Sequence, residues 1–389
     1  MKLLRALPLF LCALVANAKQ PPAPRIVDLT APDGVKLKAT YFSAAAPGPG
    51  LILLHQCNRQ RKVWDDLASR MAAAGLNVVT IDLRGYGDSE GTPFDKLSPD
   101  QANVVFNEKF PLDIETAYKF LLAQPGVSHE LLAAGGASCG VNQSVHLAMH
   151  HPEIKALVLL SESTNLEGRN FLRNHASLPL FLATAEDDTD PGVSDLMQWI
   201  STLSTNPQTK FVRYKTGGHG VELFAAHPDL PPMIVDWLTT ALKSLTANTA
   251  KPSPYVTPQT QFLEALDHTD SADPSQLLTD ARRSEVESTP GLQQIVNRIG
   301  YDHLQHADKR GAIEILKLNT SLFPNSPNVY DSLGDAYLAD GQNDLARQSA
   351  QKALDLLPSD TIDPEAFRDG IRQNAEQKLK ELAAPAPPQ

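Results

Sequence analysis

Two patterns of apolar and polar residues alternate along the chain between Ile26 and Leu245. Continuous apolar runs bounded by turn residues are typical of strands buried on both faces of a sheet, whereas apolar residues at helical spacing predict amphipathic helices. In chain order the apolar runs are GLILLH, LNVVTIDLRGYGDS, LLAAGG, IKALVLLS, LPLFLATAEDD and KFVRYKTGG, and the amphipathic stretches include PLDIETAYKFLLAQ, VNQSVHLAMHHP and PPMIVDWLTTALKSL. Their alternation, opened by a hairpin around Asp33-Gly34, predicts a doubly wound α/β domain with a mostly parallel sheet.

A different pattern begins at Gly291. Small residues and prolines recur there at a spacing of 34 residues, at Gly300 and Gly334, Ala312 and Ala346, and Pro324 and Pro358. This spacing is the period of tetratricopeptide repeats, so the sequence predicts an all-α domain with two such repeats over residues 291–361. Because stable arrays usually need at least three repeats, we expect either a further helical layer from the residues before Gly291 or docking of the array on the α/β domain.

The segment between these patterns, residues 247–290, is polar and contains several prolines. We interpret it as a linker or bridging segment with short helices at QFLEALDH and SQLLTDARRSEV. Chains usually divide into domains at such segments, so few contacts are expected to cross Lys251–Pro258 and the repeats are expected to fold separately. The α/β domain then covers residues 19–246, and residues 362–389 form a C-terminal helix followed by a disordered tail, APAPPQ.

Residues 1–18 have the three parts of a secretory signal peptide. MKLLR is a short basic start, ALPLFLCALV is an apolar run too short to span a bilayer, and Ala16-Asn17-Ala18 is a cleavage site for signal peptidase. Cys12 is compatible with a lipoprotein anchor, but Leu11 is bulky where lipidation signals have a small residue. We therefore expect export to the periplasm or the exterior, with a mature chain that begins at Lys19 and has no membrane span. The formal net charge of −11 argues against nucleic acid as a partner, because its phosphates need clustered Lys and Arg.

The stretch Gly136-Ala137-Ser138-Cys139-Gly140 lies where the apolar run LLAAGG gives way to a helix that starts near Val141. G-x-S-x-G in this setting is a nucleophile turn, which strains the serine backbone and brings strand and helix close enough to require glycine on both sides. The alternative is a chance match in a glycine-rich turn. The strand before the motif and the helix after it favour Ser138 as a nucleophile.

A serine hydroxyl needs a base to take its proton, and the base needs an anion to orient it. Asp188 and His219 follow two successive strands in the required order, at the sheet edge where the carboxyl ends of parallel strands meet. We therefore predict Ser138, Asp188 and His219 as a triad. Neighbouring carboxylates are alternatives to Asp188, namely Asp187, Asp190 and, as a weaker candidate, Glu186.

Other histidines have simpler interpretations. His146 and His150 have a spacing used in zinc sites, but no third ligand accompanies them, so they are predicted to lie on a helix surface. His55 ends a buried strand and is expected to hydrogen-bond loop backbone, and His227 is assigned to a loop.

Taken together, the segments LILLHQCNRQRKVWDDLASRMAAAGLNVVTIDLRGYGDS, GGASCGVNQSVHLAMHHPEIKALVLL, FLATAEDD and GGHG resemble the α/β-hydrolase fold superfamily, specifically its compact esterase and dienelactone-hydrolase-like members, over residues 26–246. The resemblance implies Ser138 as nucleophile, His219 as base and Asp188 as acid. Dienelactone hydrolases have cysteine at the nucleophile position, whereas here Cys139 lies one residue too late to take that role.

The resemblance also implies an oxyanion hole made by the backbone N–H groups of Cys139 and Cys57. Gln56 departs from the family, which usually has glycine after the strand-ending histidine, and this leaves the identity of the second donor open. Two donors that share one oxygen lie close together, so Cys57 and Cys139 have two alternatives: a disulfide in an oxidising compartment, or two packed thiols.

These features favour an exported serine hydrolase that cleaves an ester or related acyl bond of a small molecule through an acyl-enzyme, without a metal or cofactor. The alternative is an inactive hydrolase-fold protein that binds a peptide or protein through its repeats. The repeats themselves have two interpretations, binding of a peptide or protein and stabilisation of the fold. The segment ESTNLEGRNFLRNHAS is too short for a large lid, so we expect an open site for short or exposed acyl groups.

Overall fold

Eight strands form one sheet in the computed structural model, which describes residues 20–243, 250–268, 286, 289 and 291–383. The strands are β1 (Arg25–Thr30), β2 (Lys36–Phe42), β3 (Gly48–Leu54), β4 (Asn77–Asp82), β5 (Val127–Ala137), β6 (Ile154–Leu160), β7 (Leu180–Ala185) and β8 (Lys210–Tyr214). Their order is β1-β2-β4-β3-β5-β6-β7-β8. β1 and β2 pair antiparallel, β2 is antiparallel to β4, and all other neighbours are parallel. The predicted mostly parallel sheet is confirmed.

Helices fill the connections and follow the sheet. They are α1 (Asp65–Ala73), α2 (Pro99–Val104), α3 (Phe110–Leu122), α4 (Cys139–His150), α5 (Leu166–Asn174), α6 (Val193–Thr202), α7 (Leu223–Ala226), α8 (Leu230–Lys243), α9 (Pro258–Asp267), α10 (Leu292–Gln305), α11 (Lys309–Leu322), α12 (Pro327–Ala339), α13 (Asn343–Leu356) and α14 (Glu365–Ala383). Within the described residues, none of these helices is both long and apolar enough to cross a bilayer.

The sheet is covered on both faces, as the apolar strands require. One face packs against α3, α4 and α6, with Phe110, Val145 and Trp199 fully buried. The opposite face packs against α1 and α8, where Met71 and Leu238 are buried. This double covering holds the carboxyl ends of β3, β5, β6, β7 and β8 at one edge, where the predicted site residues follow them.

The residues after Gly291 are helical, as predicted. Helices α10 to α13 pack each against the next in chain order, and α14 packs on α13. α11 begins at Lys309 and α13 at Asn343, which is consistent with the repeat spacing in the sequence. Assignment of these helices to the tetratricopeptide class stays a prediction. The predicted leader, the tail APAPPQ, and the predicted helix SQLLTDARRSEV apart from Val286 lie outside the described residues.

The expected scarcity of contacts across the linker is wrong, because the C-terminal helices share a core with the α/β domain. α9 packs on α6, and one continuous apolar cluster joins the sheet to α9, α10 and α11. Its buried members from these three helices are Phe262, Leu263, Leu266, Leu292, Ile295, Val296, Ile299, Ile315 and Leu318. The apolar faces of α6 and α9 pack against each other, so each helix shields the apolar side chains of the other from water.

A buried ion-pair network joins the same two parts of the chain. Arg169 on α5 is 1% exposed and donates to Asp267 on α9 at 2.7 and 3.0 Å, and to Asp302 on α10 at 2.6 Å. Arg173 donates to Asp267 at 2.6 Å, and His303 lies 3.3 Å from the same carboxylate. Burial opposes ionisation of Asp267, but Arg169, His303 and Arg173 outweigh it and hold the pKa of Asp267 well below its usual range.

Candidate active site

Ser138 lies in the turn between β5 and α4 in a strained backbone conformation, with φ 52° and ψ −129°. Its N–H donates to the Leu160 carbonyl at 2.8 Å, which ties the turn to the end of β6. A Cβ on Gly136 would collide with the Gly140 carbonyl, and a Cβ on Gly140 would lie 2.5 Å from the Leu54 carbonyl. The two glycines are therefore required by the close approach of strand and helix, and the turn presents a half-buried serine at the sheet edge.

His219 and Asp188 form a hydrogen-bonded pair at the same edge. Asp188 Oδ1 lies 2.7 Å from His219 Nδ1, and the Asp188 side chain is only 2% exposed. The backbone N–H of Asp190 donates to the same carboxylate oxygen at 2.9 Å, which holds it in place. Within the described residues, no hydrogen bond joins the Ser138 hydroxyl to His219, and such bonds are often long in ligand-free sites.

The alternative acids have other partners. The Asp187 carboxylate accepts the Gly218 N–H at 3.0 Å, the Asp190 carboxylate binds Arg298 at 2.6 Å, and Glu186 pairs with Lys215. Among these four carboxylates, all of them described, Asp188 is the one that the structure places against the His219 ring.

The electrostatics of the pair favour a charged histidine. Burial opposes protonation of His219, but the hydrogen bond and negative charge of Asp188, together with Glu162 and Asp190, outweigh it and raise the pKa of His219 above 6.5. A general base must be neutral to accept a proton, so this site is suited to work above that raised pKa.

Cys57 and Cys139 form a disulfide, with their Cα atoms 5.8 Å apart. Cys139 is the first residue of α4, so its N–H has no acceptor within the helix. The bridge joins the loop after β3 to the start of α4 and so fixes the separation of the two backbone N–H groups expected to form an oxyanion hole. Of the two alternatives for these cysteines, a disulfide or two packed thiols, the structure has the disulfide.

Gln56, which departs from the family pattern, links this loop to the histidine turn. Its side chain is buried, accepts the Val221 N–H at 2.9 Å and donates to Asn58 at 2.8 Å. Val221 follows His219 by two residues, so Gln56 connects the predicted oxyanion loop to the predicted base. The neighbouring His55 contacts backbone, since its Nδ1 lies 2.9 Å from the Gln56 carbonyl and its Nε2 accepts the Leu83 N–H at 3.1 Å.

Counting thiols tests the disulfide directly. Denatured, unreduced protein lacking residues 1–18 is expected to show no reactive thiol, because Cys57 and Cys139 are then the cysteines that remain. After reduction, two thiols are expected. Ellman's reagent or alkylation with mass spectrometry measures both states, and two reactive thiols before reduction would contradict the bridge.

A cleft of about 460 Å³ opens beside Cys139. The loop after β6 forms one wall with Glu162, and α10 forms another with Arg298 and Asp302. Phe106, in a turn of π-helix that joins α2 to α3, closes a further side. The C-terminal helices therefore contribute to a cleft next to the candidate nucleophile turn, and the open site stays a prediction. Sequence reasoning missed Arg298, which has no motif around it.

Comparison with known proteins identifies a hydrolase family over part of the chain. Residues 46–219 match the hydrolase family described as serine aminopeptidase, S33. This part of the chain has an α/β-hydrolase-like, mostly parallel sheet. The match covers β3 to the candidate base His219 and includes the nucleophile turn. The C-terminal helices lie beyond the matched residues.

Two relatives are similar over about a third of the chain. Thiohydrolase aneE of Aspergillus aculeatus is 27% identical over 133 residues, 34% of this chain and 39% of its own. Protein Rv2307c of Mycobacterium tuberculosis is 30% identical over 147 residues, 37% of this chain and 48% of its own. The chain therefore spans less than half the length of these relatives. The esterase Pf2001 of Pyrococcus furiosus has a TM-score of 0.45 at 18% identity, over 57% of this chain and 91% of its own.

Proposed function

We propose that this protein is an exported serine hydrolase that cleaves an ester or related acyl bond. The observation that carries the proposal is the hydrogen-bonded, part-buried Asp188–His219 pair at the sheet edge where the strained turn presents Ser138. This combination of groups is the one that activates a serine hydroxyl for attack on a carbonyl carbon.

The reaction would proceed in two halves. Ser138 Oγ attacks the carbonyl carbon while His219 Nε2 takes its proton, and Asp188 stabilises the resulting imidazolium. The carbonyl oxygen becomes an oxyanion that accepts hydrogen bonds from the backbone N–H groups of Cys139 and Cys57. The intermediate collapses, and His219 protonates the leaving alcohol or thiol. Water then attacks the acyl-enzyme, with His219 as base, and releases the acid and Ser138.

Labelling with a fluorophosphonate tests this proposal. The reagent phosphonylates activated serines, so we expect a single adduct on Ser138 of the folded protein and none in Ser138→Ala. Peptide mass spectrometry locates the adduct, and circular dichroism shows that both samples are folded. A folded protein that stays unlabelled would contradict the proposal and favour the alternative, an inactive hydrolase fold whose tetratricopeptide-like helices bind a peptide or protein.

We propose a substrate with a short or exposed acyl group. The cleft beside Cys139 is lined by charged and amide side chains as well as by Phe94 and Phe106, and a long aliphatic chain would desolvate the polar groups without replacing their hydrogen bonds. Nitrophenyl acetate or butyrate is expected to have a kcat/KM at least ~10-fold above that of nitrophenyl palmitate. A preference for the palmitate ester would contradict this substrate class. The thiohydrolases among the relatives make thioesters the second acyl bond to test.

Export is part of the proposal. The leader sequence supports it, and the Cys57–Cys139 disulfide does so independently, because disulfides persist in oxidising compartments and are rare in the cytosol. Fractionation of cells that express the full chain tests it: we expect periplasmic or extracellular protein whose N-terminus is Lys19.

A further inference from the structure

Arg298 extends from α10 to the edge of the sheet that carries the candidate triad. Its Nη1 donates to Glu162 Oε1 and its Nη2 donates to Asp190 Oδ2, both at 2.6 Å. Glu162 lies just after β6 and Asp190 lies after β7, so one guanidinium joins the loops that follow two neighbouring strands. A planar guanidinium can hold two carboxylates in fixed directions, which a lysine ammonium cannot do as well.

Asp190, which Arg298 contacts, is hydrogen-bonded to the candidate acid Asp188. The Asp190 backbone N–H donates to Asp188 Oδ1 at 2.9 Å, and this oxygen lies 2.7 Å from His219 Nδ1. The Arg298 side chain is therefore linked to the base through Asp190 and Asp188. A shift of the Asp190 side chain would move the N–H that holds the Asp188 carboxylate.

Close backbone packing reinforces this link. A Cβ on Gly192 would lie 2.5 Å from Ile295 Cγ1, and a Cβ on Gly291 would lie 2.7 Å from the Gly192 nitrogen. Both glycines have positive φ, 84° and 66° respectively. The start of α10 thus contacts the turn that contains Asp190 through its backbone as well as through Arg298.

The charges around His219 explain why a cation is needed here. The carboxylates of Asp188, Glu162 and Asp190 act on the ring, and Glu222 accepts the His219 backbone N–H at 3.1 Å. Arg298 is the cation paired with Glu162 and Asp190. The nearby carboxylate of Asp302 is itself paired with Arg169. Without Arg298, the negative charges of Glu162 and Asp190 would act on His219 unopposed.

We propose that Arg298 is a positioning residue of the active site, through which the C-terminal helices hold Asp188 and balance the carboxylates around His219. The kinetic consequences of this inference rest on the proposed function. The structural role of Arg298 rests on its contacts with Glu162 and Asp190. It gives the helical region a role in catalysis that is separate from its role in stability.

The test compares Arg298→Gln and Arg298→Lys with the wild-type protein in the full mature chain. Loss of the guanidinium is expected to lower kcat by ~10-fold or more, with a smaller change in KM, because the triad loses its orientation. The acidic limb of the pH profile of kcat/KM is expected to move to higher pH by roughly half a unit to one unit. Arg298→Lys should return the acidic limb of the pH profile toward its wild-type position more fully than it restores kcat. Lysine supplies the positive charge but lacks the planar guanidinium that holds two carboxylates in fixed directions.

Arg173→Gln is the matched control. It also removes an arginine that pairs with the C-terminal helices, through Glu264 and Asp267, but its partners are not among the groups that act on His219. We expect its pH profile to match the wild-type profile even where thermal stability falls. A purely structural role for Arg298 would make the two variants alike in kcat and pH profile, and that result would overturn the inference.

A second readout does not depend on activity. Nitrogen-15 NMR of the imidazole groups measures the pKa of His219 directly, with His219→Gln identifying its signals. Arg298→Gln is expected to raise that pKa, and adding Glu162→Gln to the same chain is expected to lower it again. An unchanged pKa in Arg298→Gln would overturn the inference. Absence of fluorophosphonate labelling in the wild type would instead contradict the proposed function, so the two failures are distinguishable.

Discussion

Replacing Ser138 with alanine is expected to lower kcat/KM for a short-chain ester by ~10⁴-fold or more. The variant keeps His219, Asp188 and the backbone N–H donors, but it has no atom that can form the acyl-enzyme. Alanine at φ 52° has backbone strain similar to that of serine, and the hydroxyl is half-buried, so the melting temperature should change little. Initial rates with nitrophenyl butyrate and thermal unfolding by circular dichroism measure the two effects.

Two aspartates provide a matched comparison for the same experiment. Asp188→Asn is expected to lower kcat by ~10³-fold or more, because the amide cannot stabilise the imidazolium and favours the wrong tautomer. Asp187→Asn changes a neighbouring carboxylate that contacts the Gly218 N–H and not the ring, so its activity should stay close to wild type. Equal losses in the two variants, or a Ser138→Ala protein with a tenth of the wild-type rate, would contradict the assignment.

The sheet could be predicted because each of its strands has a local signature. A strand buried on both faces is a continuous apolar run; β6 and β7 lie within such runs, and most of β3 does. The nucleophile turn also has a local sequence signature, from Gly136 to Gly140, although the contact that requires Gly140 comes from the Leu54 carbonyl of β3. α6 was not predicted, although Val193, Leu196, Met197 and Ile200 recur at helical spacing.

Features that depend on distant contacts could not be predicted in this way. The sequence predicted Asp188 as the acid but left Asp187 and Asp190 as alternatives, and only the folded turn places one of the three against His219. Converging N–H groups in Cys57 and Cys139 do not determine whether their Cβ atoms converge. Arg298 follows Glu162 by 136 residues, and its role exists only once α10 has docked.

The second prediction with a large expected effect concerns stability, which depends on the docking of the C-terminal helices on the α/β domain. A chain that ends at Lys243 is expected to be insoluble or to melt at least ~10 °C below the full mature chain, in contrast to the separate folding expected from the linker. It would expose the face of α6 that carries Leu196 and Trp199, which α9 covers. It would also leave Arg169, which is 1% exposed, without its carboxylate partners, and breaking a buried pair in this way costs ~3–5 kcal/mol.

These losses are large compared with the ~5–15 kcal/mol that stabilises a typical domain. Burial of one large apolar side chain contributes ~1.5–3 kcal/mol, and several from α9 and α10 pack on the α/β domain. Thermal unfolding and soluble yield measure the effect. A cooperative transition near that of the full chain, with retained ester hydrolysis, would contradict it.

A chain that ends at Asp360 is the control for this truncation. It removes α14, whose buried residues Ile371 and Ala375 belong to a small cluster with α13 that is distinct from the core of the α/β domain. We expect its activity to stay close to that of the full chain and its unfolding transition to fall less than that of the chain ending at Lys243, although Asp331 and Asp335 lose Lys378. Because ending the chain at Lys243 also removes Arg298, loss of activity alone would not separate instability from a misplaced Asp188. Arg298→Gln supplies that separation, since it should reduce kcat while the shared core of α6, α9 and α10 stays intact.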